Sequence, residues 1–176
     1  TKDFIVFSNF SDKRLYLLHP DVKHPDVNLK NKCIPITPND KKYYYAEPKF
    51  DETSNNLYCI RENHEDEKNV ITEIVKIDLG NFLSNSNLDV VHKGYDFYSS
   101  IDISKDGKKL CFLAWNHPDM PWDNTFLKVV ELDCKGFFKN EIDVNIEKDD
   151  ENKKISVFQP RWLSNSKIVF VSDKTG

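Results

Sequence analysis

Apolar runs recur along the chain at a long, regular interval. Ile5-Val6-Phe7-Ser8, Tyr58-Cys59-Ile60-Arg61, Cys111-Phe112-Leu113-Ala114 and Val169-Phe170-Val171-Ser172 begin 53, 53 and 58 residues apart. The last three each follow a segment ending in a large apolar residue: "YAEPKF" at Phe50, "SSIDI" at Ile103 and "VFQPRW" at Trp162. A polar turn lies between the members of each pair ("DETSNN", "SKDGKK", "LSNSK"). Asp106-Gly107 in the middle copy is a hairpin signal, because glycine accepts positive φ without steric cost. Downstream of the second and third runs comes a strand-like stretch ("NVITEIVKIDL", "FLKVVELD") and then a weaker one ("LDVVHKG", "EIDVNI"). Val, Ile, Tyr, Phe and Thr dominate these stretches, as strands prefer. The run at Cys111 is continuously apolar, as expected when both faces of a strand are covered.

The pattern predicts strands near 4–8, 15–19, 33–37, 43–49, 56–62, 70–78, 88–92, 98–104, 109–115, 126–133, 141–146, 156–162 and 167–172, and no convincing helix. Four strands per repeat of just over 50 residues is the signature of a β-propeller blade. With strands lettered a to d outward from the axis, the chain reads b-c-d, a-b-c-d, a-b-c-d, a-b. The expected fold class is thus all-β: a propeller segment of about three four-stranded blades that starts and ends within a blade. The blade pieces fall near 1–40, 41–93, 94–147 and 148–176. Closed propellers need four to eight blades, so the reading expects a piece of a larger protein whose open sheet edges invite self-association. An open twisted sheet or a non-propeller sandwich is the alternative.

Charge and composition narrow the function. The net charge is −4 over 176 residues, and no basic patch or stripe suggests a nucleic-acid partner. No apolar run is long enough to span a membrane as a helix, and no signal peptide opens the chain. None of Cys33, Cys59, Cys111 and Cys134 forms a C-x-x-C pair, which disfavours zinc and thioredoxin-like chemistry. Two disulfides are conceivable. However, Cys59 and Cys111 fall at equivalent places in apolar runs, where thiols act as small core hydrophobes. The expectation is reduced, inaccessible thiols and a cytoplasmic setting.

The chemistry-bearing residues concentrate in "LAWNHPDMPWDN", Leu113 to Asn124. The strand pattern makes Asn116 to Asn124 a b–c loop, which the previous blade matches only with the acidic, histidine-containing "ENHEDEKN". Metal binding by His117, Asp119 and Asp123 is one reading, but such sites usually need several His or Cys ligands at set spacing. A chaperone-type His-Pro-Asp signature is another, since the tripeptide also occurs twice in His19–Val27. It belongs between helices, whereas these copies lie among strands. Carboxylate-pair catalysis by Asp119 and Asp123 is a third. The fourth is a loop fixed by its own packing: Pro118 and Pro121 restrict φ, Trp122 and Met120 cover apolar surface, and Asp123 accepts backbone N–H groups.

"YAEPKFDETSNNLYCI", "LAWNHPDMPWDNTFLKVVELD" and "SVFQPRWLSNSKIVFVSDKTG" resemble successive blades of the propeller domain in prolyl oligopeptidase-family serine peptidases. The likeness is nearest to the acylaminoacyl-peptidase and dipeptidyl-aminopeptidase-like branch. There a loop similar to His117-Pro118-Asp119-Met120-Pro121-Trp122-Asp123 recurs in one blade. The usual Pro-Asp-Gly turn is replaced here by "DETSN" and "LSNSK". The resemblance implies Ser-His-Asp hydrolysis on an α/β-hydrolase domain elsewhere in the parent chain, with the propeller gating access of short peptides. That hydrolase domain and short peptides are the implied partners, and no cofactor is implied. The nucleophile would sit in a G-x-S-x-G elbow. Gly80, Gly94, Gly107, Gly136 and Gly176 include no two that are four apart, so this segment has no elbow and should not hydrolyse anything alone. A scaffold or ligand-binding propeller without hydrolase is the alternative function.

Strand directions add one expectation. In a four-stranded blade the b–c loops share a face with the d–a connections between blades. A hydrolase joined at the propeller's ends would sit over that face. The loop from Asn116 to Asn124 would then face it, with Trp122 anchored and His117 and Asp119 nearer solvent. His117, Asp119, Trp122 and Asp123 are the candidate chamber or domain-interface residues. Trp162, ending an inner strand, is expected to pack between blades.

Overall fold

A computed structural model describes residues 4–18, 33–80, 88–144 and 154–174. Among these residues there are thirteen strands and no helix. They form four antiparallel sheets. The first holds β1 (Ile5–Ser8), β2 (Leu15–Leu18) and β3 (Cys33–Pro35). The second holds β4 (Tyr43–Asp51), β5 (Asn56–Asn63), β6 (Ile71–Asp78) and β7 (Asp89–Lys93). The third holds β8 (Phe97–Ile103), β9 (Lys109–Trp115), β10 (Phe126–Leu132) and β11 (Phe138–Asp143). The fourth holds β12 (Val157–Ser164) and β13 (Lys167–Ser172). Within each sheet, neighbours in sequence are neighbours in space. This is the b-c-d, a-b-c-d, a-b-c-d, a-b order that the apolar pattern predicts, and the fold is a partial β-propeller.

Alternation along the second strand of each blade explains the stacking. In β9 Leu110, Phe112 and Ala114 point to one side and join Tyr58, Ile60, Ile74, Tyr98 and Val130 in the core between the second and third blades. Cys111 and Leu113 point to the other side and join Leu127, Val129, Ile155 and Val157 between the third and fourth. Leu57 and Cys59 of β5 likewise meet Leu15, Leu17 and Ile36 of the first blade. A strand with period-two geometry and a core on each face is apolar through its middle, as Leu57–Ile60 and Leu110–Ala114 are. Cys59 and Cys111 are fully buried and unpaired, and burial pushes each thiol up to about 12. Cys134 is exposed.

Two glycine turns lock the second and third blades together. Gly107 closes the β8–β9 hairpin at φ 69°, and a Cβ there would lie 2.9 Å from the buried Asp51 carboxylate in the facing turn. Gly136, at φ 80° in the β10–β11 hairpin, would place a Cβ 2.5 Å from the Tyr58 hydroxyl. Nearby, Lys76 donates to the Lys135 carbonyl at 2.8 Å and lies 3.6 Å from the Phe137 ring centroid. This tight turn also corrects one predicted strand. The last strand of the third blade is Phe138–Asp143 and begins three residues before the predicted 141–146, whose last two residues lie outside the described ones. Asp133 Oδ1 accepts the N–H groups of Lys135 and Phe137 at 2.8 and 2.9 Å, so the chain reverses within five residues and pairing starts at once.

A buried polar network spans the same boundary. His92 of β7 is bonded through Nδ1 to the Tyr98 hydroxyl at 3.0 Å and through Nε2 to Glu141 at 2.9 Å. Lys128 donates to the other Glu141 oxygen at 2.8 Å. Trp162 lies between blades, as expected. Its backbone N–H donates to Asp102 Oδ2 at 2.8 Å, its indole N–H to the Asp102 carbonyl at 3.3 Å, and its ring packs on the core between the third and fourth blades. The His19–Val27 repeat and the acidic stretch after Ile146 lie outside the described residues.

Candidate functional site on the face of the b–c loops

The loop between β9 and β10 is held at both ends by polar bonds. Asn116 Oδ1 accepts the Asp96 N–H at 2.9 Å, and Asp96 Oδ2 accepts the His117 N–H at 2.8 Å. This reciprocal pair ties the loop to the connection preceding β8. A first turn brings the Asp119 N–H to the Asn116 carbonyl at 3.0 Å, across a cis His117–Pro118 peptide. A second brings the Asp123 N–H to the Met120 carbonyl at 2.9 Å. Asp123 Oδ2 closes it by accepting the Met120 N–H at 2.9 Å, the role expected of it.

The far end is tied to the chain entering the fourth blade. Lys154 forms an ion pair with Asp119, and Asn124 Nδ2 donates to the same carboxylate at 3.3 Å. The Lys154 hydrogen bond holds the Asp119 carboxyl below its usual range. Ser156 Oγ donates to the Pro121 carbonyl at 2.7 Å. The Thr125 hydroxyl accepts the Val157 N–H at 2.7 Å and donates to the Val157 carbonyl at 3.0 Å.

The placement of three residues corrects the sequence expectation. Trp122 is not anchored: it is 68 % exposed, and Met120 is 42 % exposed. Both are exposed side chains, where the sequence reading expected them to be covered. The loop is fixed by polar bonds rather than by apolar packing, and Trp122 lies exposed within the turn that Met120 and Asp123 close. Asp119 is drawn in rather than left toward solvent, because Lys154 and Asn124 occupy it; its side chain is 17 % exposed. His117 is exposed as expected, with its ring edge-on to Phe97 at 4.9 Å, and Phe97 stacks on Trp115 at 5.4 Å. Among the described residues no three His, Cys, Asp or Glu side chains converge as metal ligands would.

A second feature escaped the sequence reading. His64, in the b–c loop of the second blade, packs on Tyr44 at 4.2 Å. Tyr44 and His64 lie 53 residues before Phe97 and His117. The histidine shared by the two loops therefore has a geometric reason: each backs an aromatic ring at the start of its blade's inner strand. The spacing was visible, but the contact joins positions about 20 residues apart in each blade, which no local pattern links. Beside Tyr44, a cavity of about 250 Å³ is lined by Ser8, Asn9, Phe10, Lys13, Tyr44 and Tyr45. The Lys13 ammonium sits 3.9 Å from the Phe10 ring centroid and 5.1 Å from that of Tyr44.

Fold and loops together define a propeller segment with one elaborated b–c loop and an aromatic-rich face. No protein-family model and no curated protein matches the sequence. Solved structures do. A puromycin hydrolase matches over 98 % of this chain with a TM-score of 0.79 and 23 % identity. A puromycin-hydrolyzing peptidase of Mycobacterium tuberculosis matches over 97 % with a TM-score of 0.77 and 26 % identity. A regucalcin from Agrobacterium tumefaciens, a calcium-binding protein, matches over 92 % of the chain with a TM-score of 0.53 and 12 % identity. The chain spans 26 % of the length of each of the two puromycin-hydrolysing proteins. The resemblance to a propeller of the prolyl oligopeptidase family stands on these matches, and the shared fold is that of a partial propeller. Among the described residues no helix is long and apolar enough to cross a membrane.

Proposed function

We propose that this chain is the non-catalytic propeller segment of a cytoplasmic serine exopeptidase of the acylaminoacyl-peptidase or dipeptidyl-peptidase-like kind. In this reading it gates the access of short peptides to an α/β-hydrolase site elsewhere in the parent chain. The observation that carries the reading is the near-complete superposition on one quarter of two puromycin-hydrolysing enzymes. Specificity of this sort comes from excluding bulky substrates rather than from added transition-state contacts.

The loop from Asn116 to Asn124 is the docking element toward the hydrolase. Its backbone is fixed on both sides, while Trp122 and Met120 project outward. Rigid aromatic anchors that face solvent in one partner are the residues that interfaces bury. His117, Asp119 and Asp123 act through the loop's shape, with His117 nearest the chamber.

The test uses the full-length parent. It should cleave puromycin and short amino-terminal amide substrates, and replacing the serine of its G-x-S-x-G elbow should abolish this. Trp122→Ala in that parent should lower kcat/KM or weaken the interdomain contact, with the propeller's own unfolding unchanged. A parent with no hydrolase region would leave a scaffold propeller, and activity indifferent to Trp122 and His117 would remove the loop's docking role.

A further inference from the structure

The inner strand breaks its ladder at the same place in three consecutive blades. The register shifts between Ala46 and Lys49 in β4, between Ser99 and Asp102 in β8, and between Phe158 and Arg161 in β12. Inside each break a non-glycine residue adopts a left-handed backbone: Glu47 at φ 49°, Ser100 at φ 57° and Gln159 at φ 51°. That conformation crowds the Cβ of an L-residue against its own carbonyl and is disfavoured. Bulges re-aim side chains, and three at equivalent positions are a built feature rather than a defect.

What they aim is visible at the two complete boundaries. The Glu47 carboxylate accepts the Ser100 N–H of the next blade's bulge. The residue after each break is Lys49, Asp102 or Arg161, and Asp102 is bonded to both neighbouring blades. Lys49 Nζ of the second blade lies 2.5 Å from Asp102 Oδ1, and the Trp162 N–H of the fourth blade donates to Asp102 Oδ2 at 2.8 Å. The Asp102 carbonyl takes the Trp162 indole as well, at 3.3 Å. Asp102 is 5 % exposed. A buried carboxylate needs its partners to offset lost hydration. Here those partners come from two different blades, so the group is satisfied only when both are in place.

We infer that Asp102 is the latch of the inner wall: its carboxylate clamps three consecutive blades, and the fourth blade's inner strand lifts from the core when the carboxylate is removed. The consequence is local. Cys111 is the ladder partner of Asp102 and lies in the core that Ile155, Val157, Trp162 and Ile168 cover. Cys59 holds the equivalent place between the first and second blades, in a core to which Asp102 does not contribute. Cys111 thus reports the boundary between the third and fourth blades, and Cys59, between the first and second, is the internal control.

The experiment follows native-state labelling of the intact chain by a maleimide, with Cys33 and Cys134 replaced by serine and each adduct counted by mass spectrometry. Asp102→Leu should raise the Cys111 rate by about tenfold or more, since labelling of a buried thiol follows local opening and a charged hydrogen bond is lost. The Cys59 rate should stay within about twofold, because its core opens independently. Asp102→Asn keeps one acceptor and should fall between wild type and Asp102→Leu. It also carries the test alone if the leucine variant does not fold. An unchanged Cys111 rate overturns the latch. A parallel rise of both thiols also overturns it, since Asp102 would then support global stability only.

Discussion

At the scale of single residues, two positions carry sharp consequences. Gly136 combines a left-handed backbone with the Tyr58 hydroxyl 2.5 Å from where a Cβ would stand. Gly136→Ala should destabilise by roughly 1–3 kcal/mol, the usual range for overpacking at a strained site, measured as a shift in the urea midpoint. Glu141 supplies the pH dependence. Burial raises its carboxyl, but hydrogen bonds from Lys128 and His92 outweigh this and hold it below its ordinary value of 4.5. A depressed folded-state pKa stabilises above the unfolded value, and that stability is lost as pH falls through the folded one. Acid unfolding of wild type should therefore show a destabilising step below about pH 4.5 that Glu141→Gln lacks, in thermal melts from pH 3 to 7.

At the scale of elements, the loop joining β9 and β10 separates residues that hold it from residues it displays. Trp122 is the larger side chain, yet it touches little of the chain. Trp122→Ala should change stability by less than about 0.5 kcal/mol, as exposed substitutions do. Asp123 closes the turn at the Met120 N–H. Asp123→Ala should cost about 1 kcal/mol, comparable with the loss of a side-chain cap or net hydrogen bond. Chemical denaturation of the two variants should order them this way round, the reverse of a ranking by side-chain size. The same element logic makes β9 and β5 intolerant, because each residue serves the core on its own side of the strand.

At the scale of the whole molecule, the arc of blades ends in uncovered apolar surface. Leu163, Val169 and Val171 of the fourth sheet are at least half exposed, and Val171 reaches 61 %. Open edges with apolar faces promote pairing between chains. The chain alone should associate with rising concentration in sedimentation velocity, and Val171→Lys should shift it toward monomer by charging the edge. The amino-acid sequence by itself determined the strands, their order and the blade repeat. These follow from residue alternation and turn chemistry, which act over a few positions. It also determined that β5 and β9 are covered on both faces and that Cys59 and Cys111 are buried. The start of β11 at Phe138 has a local cause, the turn that Asp133 closes on the N–H groups of Lys135 and Phe137, which the apolar pattern did not register; what the tertiary structure decided lies at longer range. It alone turned Trp122 outward and drew Asp119 in, because Lys154 and Ser156, more than 30 residues on, grip the loop's carboxylate and carbonyl. It alone joined Lys49, Asp102 and Trp162 across three blades, since contacts of that span depend on how blades stack and leave no periodic trace along the chain.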